Sequence, residues 1–148
     1  MAGDGCTWIV IADGAHARVL EERRRGARLA ERIVISRVEG DEIEVRDRPT
    51  RVRESVGAQR RSVVDRFDPH DEGEGRFLRR VAMRVDHGAA QGEFDELILL
   101  SPPRALGVLR AALSPKATRA IVAEAGIDIV HEKIPAITDR LKLRQEKS

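Results

Sequence analysis

The side chains able to do chemistry near neutral pH fall into a few groupings in this sequence. Asp13-Gly14-Ala15-His16 sets a carboxylate near an imidazole, and Asp68, His70 and Asp71 make a second acid–histidine cluster. Either could hold a divalent ion. Against this, none of the four histidines (His16, His70, His87, His131) lies four residues from another, and none has a cysteine partner. Asp68 and Asp71 also fit the opening of a helix, where acids meet free N–H groups. No metal and no cofactor is expected. Ser101-Pro102-Pro103-Arg104 directly follows an apolar run. Ser101 lacks the flanking glycines of a nucleophile elbow. A hydrolase centred on Asp13, His16 and Ser101 would require three separated positions to converge. Backbone amides after Ser101, with Arg104, could bind an anion; alternatively Pro102-Pro103 only starts a helix and Arg104 is solvated.

Arginine is the most uneven feature. Of 27 basic residues only Lys116, Lys133, Lys142 and Lys147 are lysines, which leaves 23 arginines. Genome base composition can produce such an excess, so clustering is more informative than the total. Arg46, Arg48, Arg51, Arg53, Arg60, Arg61 and Arg66 stand against Asp47, Glu54 and Asp65 in one stretch. A local surplus of guanidinium forks suits phosphate or another anionic partner. Within it, Ser55-Val56-Gly57-Ala58-Gln59-Arg60-Arg61-Ser62 combines a glycine, a small residue and a glutamine. It reads either as a tip that enters a narrow polar site or as a solvated loop. Neither a phosphate-binding G-x-x-x-x-G-K-[ST] loop nor a dinucleotide G-x-G-x-x-G turn is present, which disfavours the usual nucleotide sites.

These groups need elements to position them. A chain of 148 residues is the size of one domain, and residues 1–148 are read as a single one. With 3% aromatic residues, the core must rest on aliphatic side chains plus Trp8, Phe67, Phe77 and Phe94. Cys6 is the sole cysteine, which fits a reducing compartment. The N-terminus lacks the pattern of a signal peptide, and no apolar run is long enough for a bilayer. A cytoplasmic protein without membrane contact is expected.

Thr7–Ala12 is apolar and β-branched and closes at Asp13-Gly14, as a buried strand does. His16 to Glu21 alternates, so the two form a hairpin. Leu29 to Ser36 supplies a third strand, and Glu42 to Val45 a short fragment. From Arg46 to Asp71 periodicity is lost, over a length that is usually functional or disordered. Asp68-Pro69 then starts a helix, with Phe77, Leu78, Val81, Ala82 and Val85 carrying its apolar face to about Ala90. Phe94 to Leu100 is a strand, Arg104 to Leu113 a helix ended by Ser114-Pro115, Ala120 to Ala123 a strand, and Pro135 to Leu143 a final helix. The fold class is α/β: a mixed β-sheet with an N-terminal strand meander followed by alternating helices and strands.

Three blocks resemble the bacterial host-attachment protein family. They are Trp8 to Val19 with its Ala12-Asp13-Gly14-x-x-Ala17-Arg18; Ser55 to Arg61 followed by Asp68-Pro69-His70 and Phe77; and Leu97 to Arg104 continuing through Leu106-Gly107-x-Leu109-Arg110. Ser101 stands where alanine is more usual in that family, and the tail after Gly126 matches loosely. The family is similar in fold to the middle domain of archaeal and eukaryotic class-one peptide release factors. Gly57-Ala58-Gln59 occupies the place of their Gly-Gly-Gln loop, with Ala58 for the second glycine. The resemblance implies a role at the ribosome or with tRNA, with Gln59 entering the peptidyl-transferase centre. The codon-reading and partner-binding domains of release factors are missing, which disfavours a free-standing termination factor.

The reading favours a non-enzymatic protein that binds RNA or the ribosome. Arg51, Arg53, Arg60, Arg61 and Arg104 are its expected anion contacts, and Gly57 and Gln59 shape the loop tip. The alternatives are a protein-binding, adhesion-related or regulatory factor acting indirectly in attachment, and the small hydrolase above. The oligomeric state is left open.

Overall fold

The computed structural model describes residues 5–24, 26–38, 41–46 and 69–147. Its elements in chain order are β1 (Thr7–Ala12), β2 (His16–Glu22), β3 (Ala30–Val38), β4 (Asp41–Arg46), α1 (Pro69–Ala90), β5 (Glu96–Ser101), α2 (Pro103–Ala112), α3 (Pro115–Ala120), β6 (Ile121–Gly126) and α4 (Ile134–Lys147). The strands form one six-stranded sheet in the order β4-β3-β2-β1-β5-β6. β1 to β4 are successive antiparallel neighbours, which is the expected meander, and β5 and β6 join β1 as parallel strands. The mixed α/β sheet read from the sequence is therefore the observed one.

Alternation within the strands divides the core into two layers. Trp8, Val10, Ala12, Ala17, Val19, Ile33, Ile35, Leu97 and Leu99 pack against Phe77, Leu78, Val81 and Val85 of α1 and Leu109 of α2. Ile9, Ile11, Leu20 and Leu100 turn the other way, toward Ile129, Val130 and Ile137. β1 is buried at all six positions because it lies between two strands and under both layers. Central strands covered on both faces read as continuous apolar runs, which is why β1 and β5 are so plain in the sequence.

Two differences from the sequence reading have local causes. Glu42–Val45, expected as a fragment, is the core of a full strand, Asp41–Arg46, paired with β3 from Ile33 to Val38. Ser114-Pro115 does end α2, but it also starts α3. The Ser114 side chain accepts the N–H of Ala117 (3.2 Å) and Pro115 takes the first helical position. A serine cap followed by proline is a start signal as well as a stop. Asp86 of α1 fixes this junction by accepting the Ser114 N–H at 2.9 Å.

Candidate functional site

The parallel strands β1, β5 and β6 end on the same edge, at Asp13, Ser101 and Gly126. Open α/β sheets place ligands at such carboxyl ends. Here the β1–β2 turn is built by Asp13. Its N–H donates to the His16 carbonyl (2.9 Å), and its Oδ1 accepts the N–H groups of Ala15 (2.8 Å) and His16 (2.7 Å). One carboxylate oxygen thus satisfies the turn's free amides, as aspartate does in tight turns. His16 Nδ1 stands 3.6 Å from the same Oδ1, with 47% of the His16 side chain exposed.

A third group comes from the connection between β6 and α4. His131 lies beside His16, ring centroids 4.9 Å apart and planes at 69°. One ligand atom each from Asp13, His16 and His131 lies within 4.8 Å of the others. The neighbouring backbone is held firmly. Arg18, on the same strand as His16, donates through Nη1 to the carbonyls of Val130 (3.0 Å) and Glu132 (2.6 Å), while its Nε donates to Glu31 (2.7 Å). Arg140 of α4 grips the Glu132 carboxylate with two hydrogen bonds of 2.8 Å. That fork holds the Glu132 carboxyl below its ordinary pKa. Residues 130–132 are therefore fastened both to β2 and to α4.

The opposite layer meets the same edge through α1. A side chain at Gly14 would collide with Glu74, its Cβ coming 2.5 Å from the carboxyl carbon, and one at Gly73 would collide with the Arg37 guanidinium. Arg37 also reaches the Gly14 carbonyl at 3.5 Å. The first turns of α1 are thereby seated against the β1–β2 turn. Past them, Arg76, Arg79, Arg80 and Met83 are exposed, spaced to share one side of the helix.

The structure treats the sequence-derived candidates unequally. Arg51, Arg53, Gly57, Gln59, Arg60 and Arg61 lie outside the described residues, as do the Asp68 cap, the side chains of His70 and Asp71, and the whole stretch read as a loop except its ends. Arg104 is exposed in the first turn of α2, directly beyond β5. Asp13 and His16 are brought together, as their spacing allows. Ser101 is not brought to them. It is fully buried, its hydroxyl has no hydrogen-bond partner among the described residues, and strand alternation turns it toward the α1 layer while His16 and Arg18 face the α4 layer. A nucleophile needs access to substrate, so this geometry does not supply the hydrolase centre. Sequence reasoning missed His131 as a partner of His16. Its only signal was a histidine in a turn before a proline-bearing helix, and nothing local tied it to the first hairpin.

An α/β sheet covered by helices on both faces, with polar groups gathered at the carboxyl edge, is the class of protein defined so far. The chain belongs to the family described as "Protein required for attachment to host cells", whose model matches residues 8–141. No curated protein matches the sequence. Among solved structures it is similar to an archaeal protein, with 14% identity and a TM-score of 0.46, over 99% of this chain and 42% of that one. It is also similar to an archaeal translation termination factor, with 13% identity and a TM-score of 0.49, over 97% of this chain and 42% of that one. Among the described residues no helix is long and apolar enough to cross a membrane.

Proposed function

We propose that this host-attachment-family protein acts as a single, non-enzymatic, cytoplasmic domain that binds structured RNA, as tRNA or on the ribosome. The observation that carries the reading is the run of seven arginines against three acids from Arg46 to Arg66. It lies between β4 and α1, and the exposed Arg76, Arg79 and Arg80 extend it along α1. Arg51, Arg53, Arg60 and Arg61 contact phosphates, Gly57 and Gln59 shape the tip, and Arg104 adds a contact at the start of α2. Guanidinium groups suit this role because each presents a planar fork of donors to phosphate oxygens.

The test is binding of purified protein to tRNA and to ribosomes across a salt titration. The four contacts of Arg51, Arg53, Arg60 and Arg61 alone give a slope of roughly −2.8 to −3.6 in log affinity against log salt, a loss of about 50- to 150-fold between 50 and 200 mM. In Arg60→Ala/Arg61→Ala the slope becomes shallower by roughly 1.5 to 2. Affinity that ignores salt, or a double variant identical to the parent, would refute the phosphate contacts.

A second reading, binding to another protein with an indirect effect on attachment, draws on β6. That strand is an edge of the sheet and carries Val122 at 55% exposure. Partners that survive nuclease treatment of a lysate, and are lost in Val122→Lys, would favour this second reading.

A further inference from the structure

Asp13, His16 and His131 form a cluster that RNA binding does not use. We propose that it is a site for one divalent transition-metal ion of the zinc class, independent of the reading above. The donors are two imidazole nitrogens and one carboxylate oxygen. Imidazole suits Zn²⁺ and its first-row neighbours, whereas Mg²⁺ and Ca²⁺ take oxygen ligands. Three protein ligands leave a coordination position for water or an oxyanion, the pattern of an open rather than a closed site.

The spacing is close to what an ion needs. Bonds of about 2.0–2.2 Å in a tetrahedron put ligand atoms roughly 3.3 Å apart, against the 4.8 Å within which these donors lie. Closing the difference takes side-chain rotation alone, and both imidazoles are exposed enough to turn. The 3.6 Å between His16 and Asp13 exceeds an N–H···O hydrogen bond, so no direct bond between them has to be broken first.

The surroundings position the donors without occupying them. Asp13 accepts the amides of Ala15 and His16 through Oδ1, which fixes its carboxylate beside His16. Arg18 holds the carbonyls on either side of His131, and Arg140 holds Glu132 next to it. These hydrogen bonds fix the backbone that carries His131 and leave its imidazole to turn. Arg18 and Arg140 are positioning residues here, with their own charges directed to carbonyls and to Glu31 and Glu132 rather than to Asp13.

The experiment is calorimetric titration of chelator-treated, nucleic-acid-free full-length protein with Zn²⁺ at pH 7.5, paired with Co²⁺ absorption in the visible. One ion per chain is expected. His16→Ala, His131→Ala and Asp13→Asn should each weaken it by about 100-fold or more, beyond the roughly 10–100-fold that losing a second-layer partner costs. Asp13→Asn keeps an oxygen for the turn amides, and His131→Gln provides a second variant at an exposed position, so folding and binding separate. His70→Ala and His87→Ala should bind as the parent does. Ligand imidazoles must be neutral to bind the ion, so affinity should fall as the pH is lowered from 7.5. Absence of binding at pH 7.5, or retention within threefold in His16→Ala or His131→Ala, would overturn the site. Because no RNA is present, either result leaves the RNA reading to its own test.

Discussion

The two ends of the sheet carry similar residues arranged to opposite effect. At the amino end of β1, charged groups are matched and packed. Glu21, nearly buried, meets Arg32 (3.4 Å) and Arg23 (3.6 Å) and accepts the Cys6 thiol (3.2 Å), and Arg84 pairs with Glu93 (3.4 Å). The guanidiniums of Arg32 and Arg84 lie 5.8 and 5.5 Å from the centre of the buried Trp8 ring. Gly88 lets α1 approach that ring so closely that a Cβ would come within 2.7 Å of it. At the carboxyl end, Asp13, His16 and His131 converge with no cationic side chain of Arg18 or Arg140 aimed between them. The amino end closes its charges on themselves and holds the fold; the carboxyl end leaves donors turned to solvent. A basic side chain is informative about function only once its partner is known.

The sharpest way to break this contrast is Trp8→Ala. Removing a fully buried tryptophan from a core that has few aromatic rings should cost about 3–5 kcal/mol, read by circular dichroism during denaturant unfolding. Zn²⁺ affinity of the folded fraction should stay as it was. A variant that lost the ion without losing stability would reverse the roles assigned to the two ends. Arg18→Gln comes next. It removes charge-assisted hydrogen bonds to two carbonyls, each worth roughly 1.5–3 kcal/mol when buried, and the part-buried site lowers the expected loss to about 2 kcal/mol. It should also weaken Zn²⁺ by about tenfold by loosening His131. Unchanged affinity with lowered stability would make Arg18 purely structural.

The smallest effect concerns Cys6. Burial, then the hydrogen bond to Glu21, pushes its thiol from 9.0 up to about 12. The thiolate is the reactive form, so alkylation by iodoacetamide at pH 8 should be far slower in the folded protein than in denaturant. Glu21→Gln should speed it. The folded chain holds this proton more tightly than the unfolded one, so stability is unaffected below about pH 9 and declines as pH rises from about 9 toward 12. A folded protein alkylated as fast as the denatured one would remove the shielding ascribed to this end.

Much of the fold was legible because central parallel strands and an amphipathic helix leave strong patterns. β1 and β5 read as apolar runs, and Phe77, Leu78, Val81, Ala82 and Val85 mark the face that α1 buries. α3 was not legible because Ser114-Pro115 carries a stop and a start in the same two residues. The extent of β4 was obscured because an edge strand with alternating acids, Asp41-Glu42-Ile43-Glu44-Val45-Arg46, has no continuous apolar signal. Of the candidate site, Asp13 and His16 were visible as neighbours within one turn. His131 was not, since its place is set by sheet topology and by Arg18 reaching the carbonyls of Val130 and Glu132. The arginine-rich stretch is a compositional signal, legible in sequence without any fold.

The most direct test of the division between the ends is an amide-shift map of isotope-labelled protein titrated with tRNA at low salt. Arg23, Arg24 and Arg28 line a groove of about 530 Å³ at the β2–β3 turn, while in the sequence Arg46 to Arg66 precede α1 and Arg76, Arg79 and Arg80 lie on it. Shifts concentrated from residue 46 to residue 83 and at Arg104, and diminishing as salt is added, are the expected result. Shifts centred on residues 23–32, with the 46–66 stretch unmoved, would contradict it and place any RNA contact at the end assigned here to holding the fold.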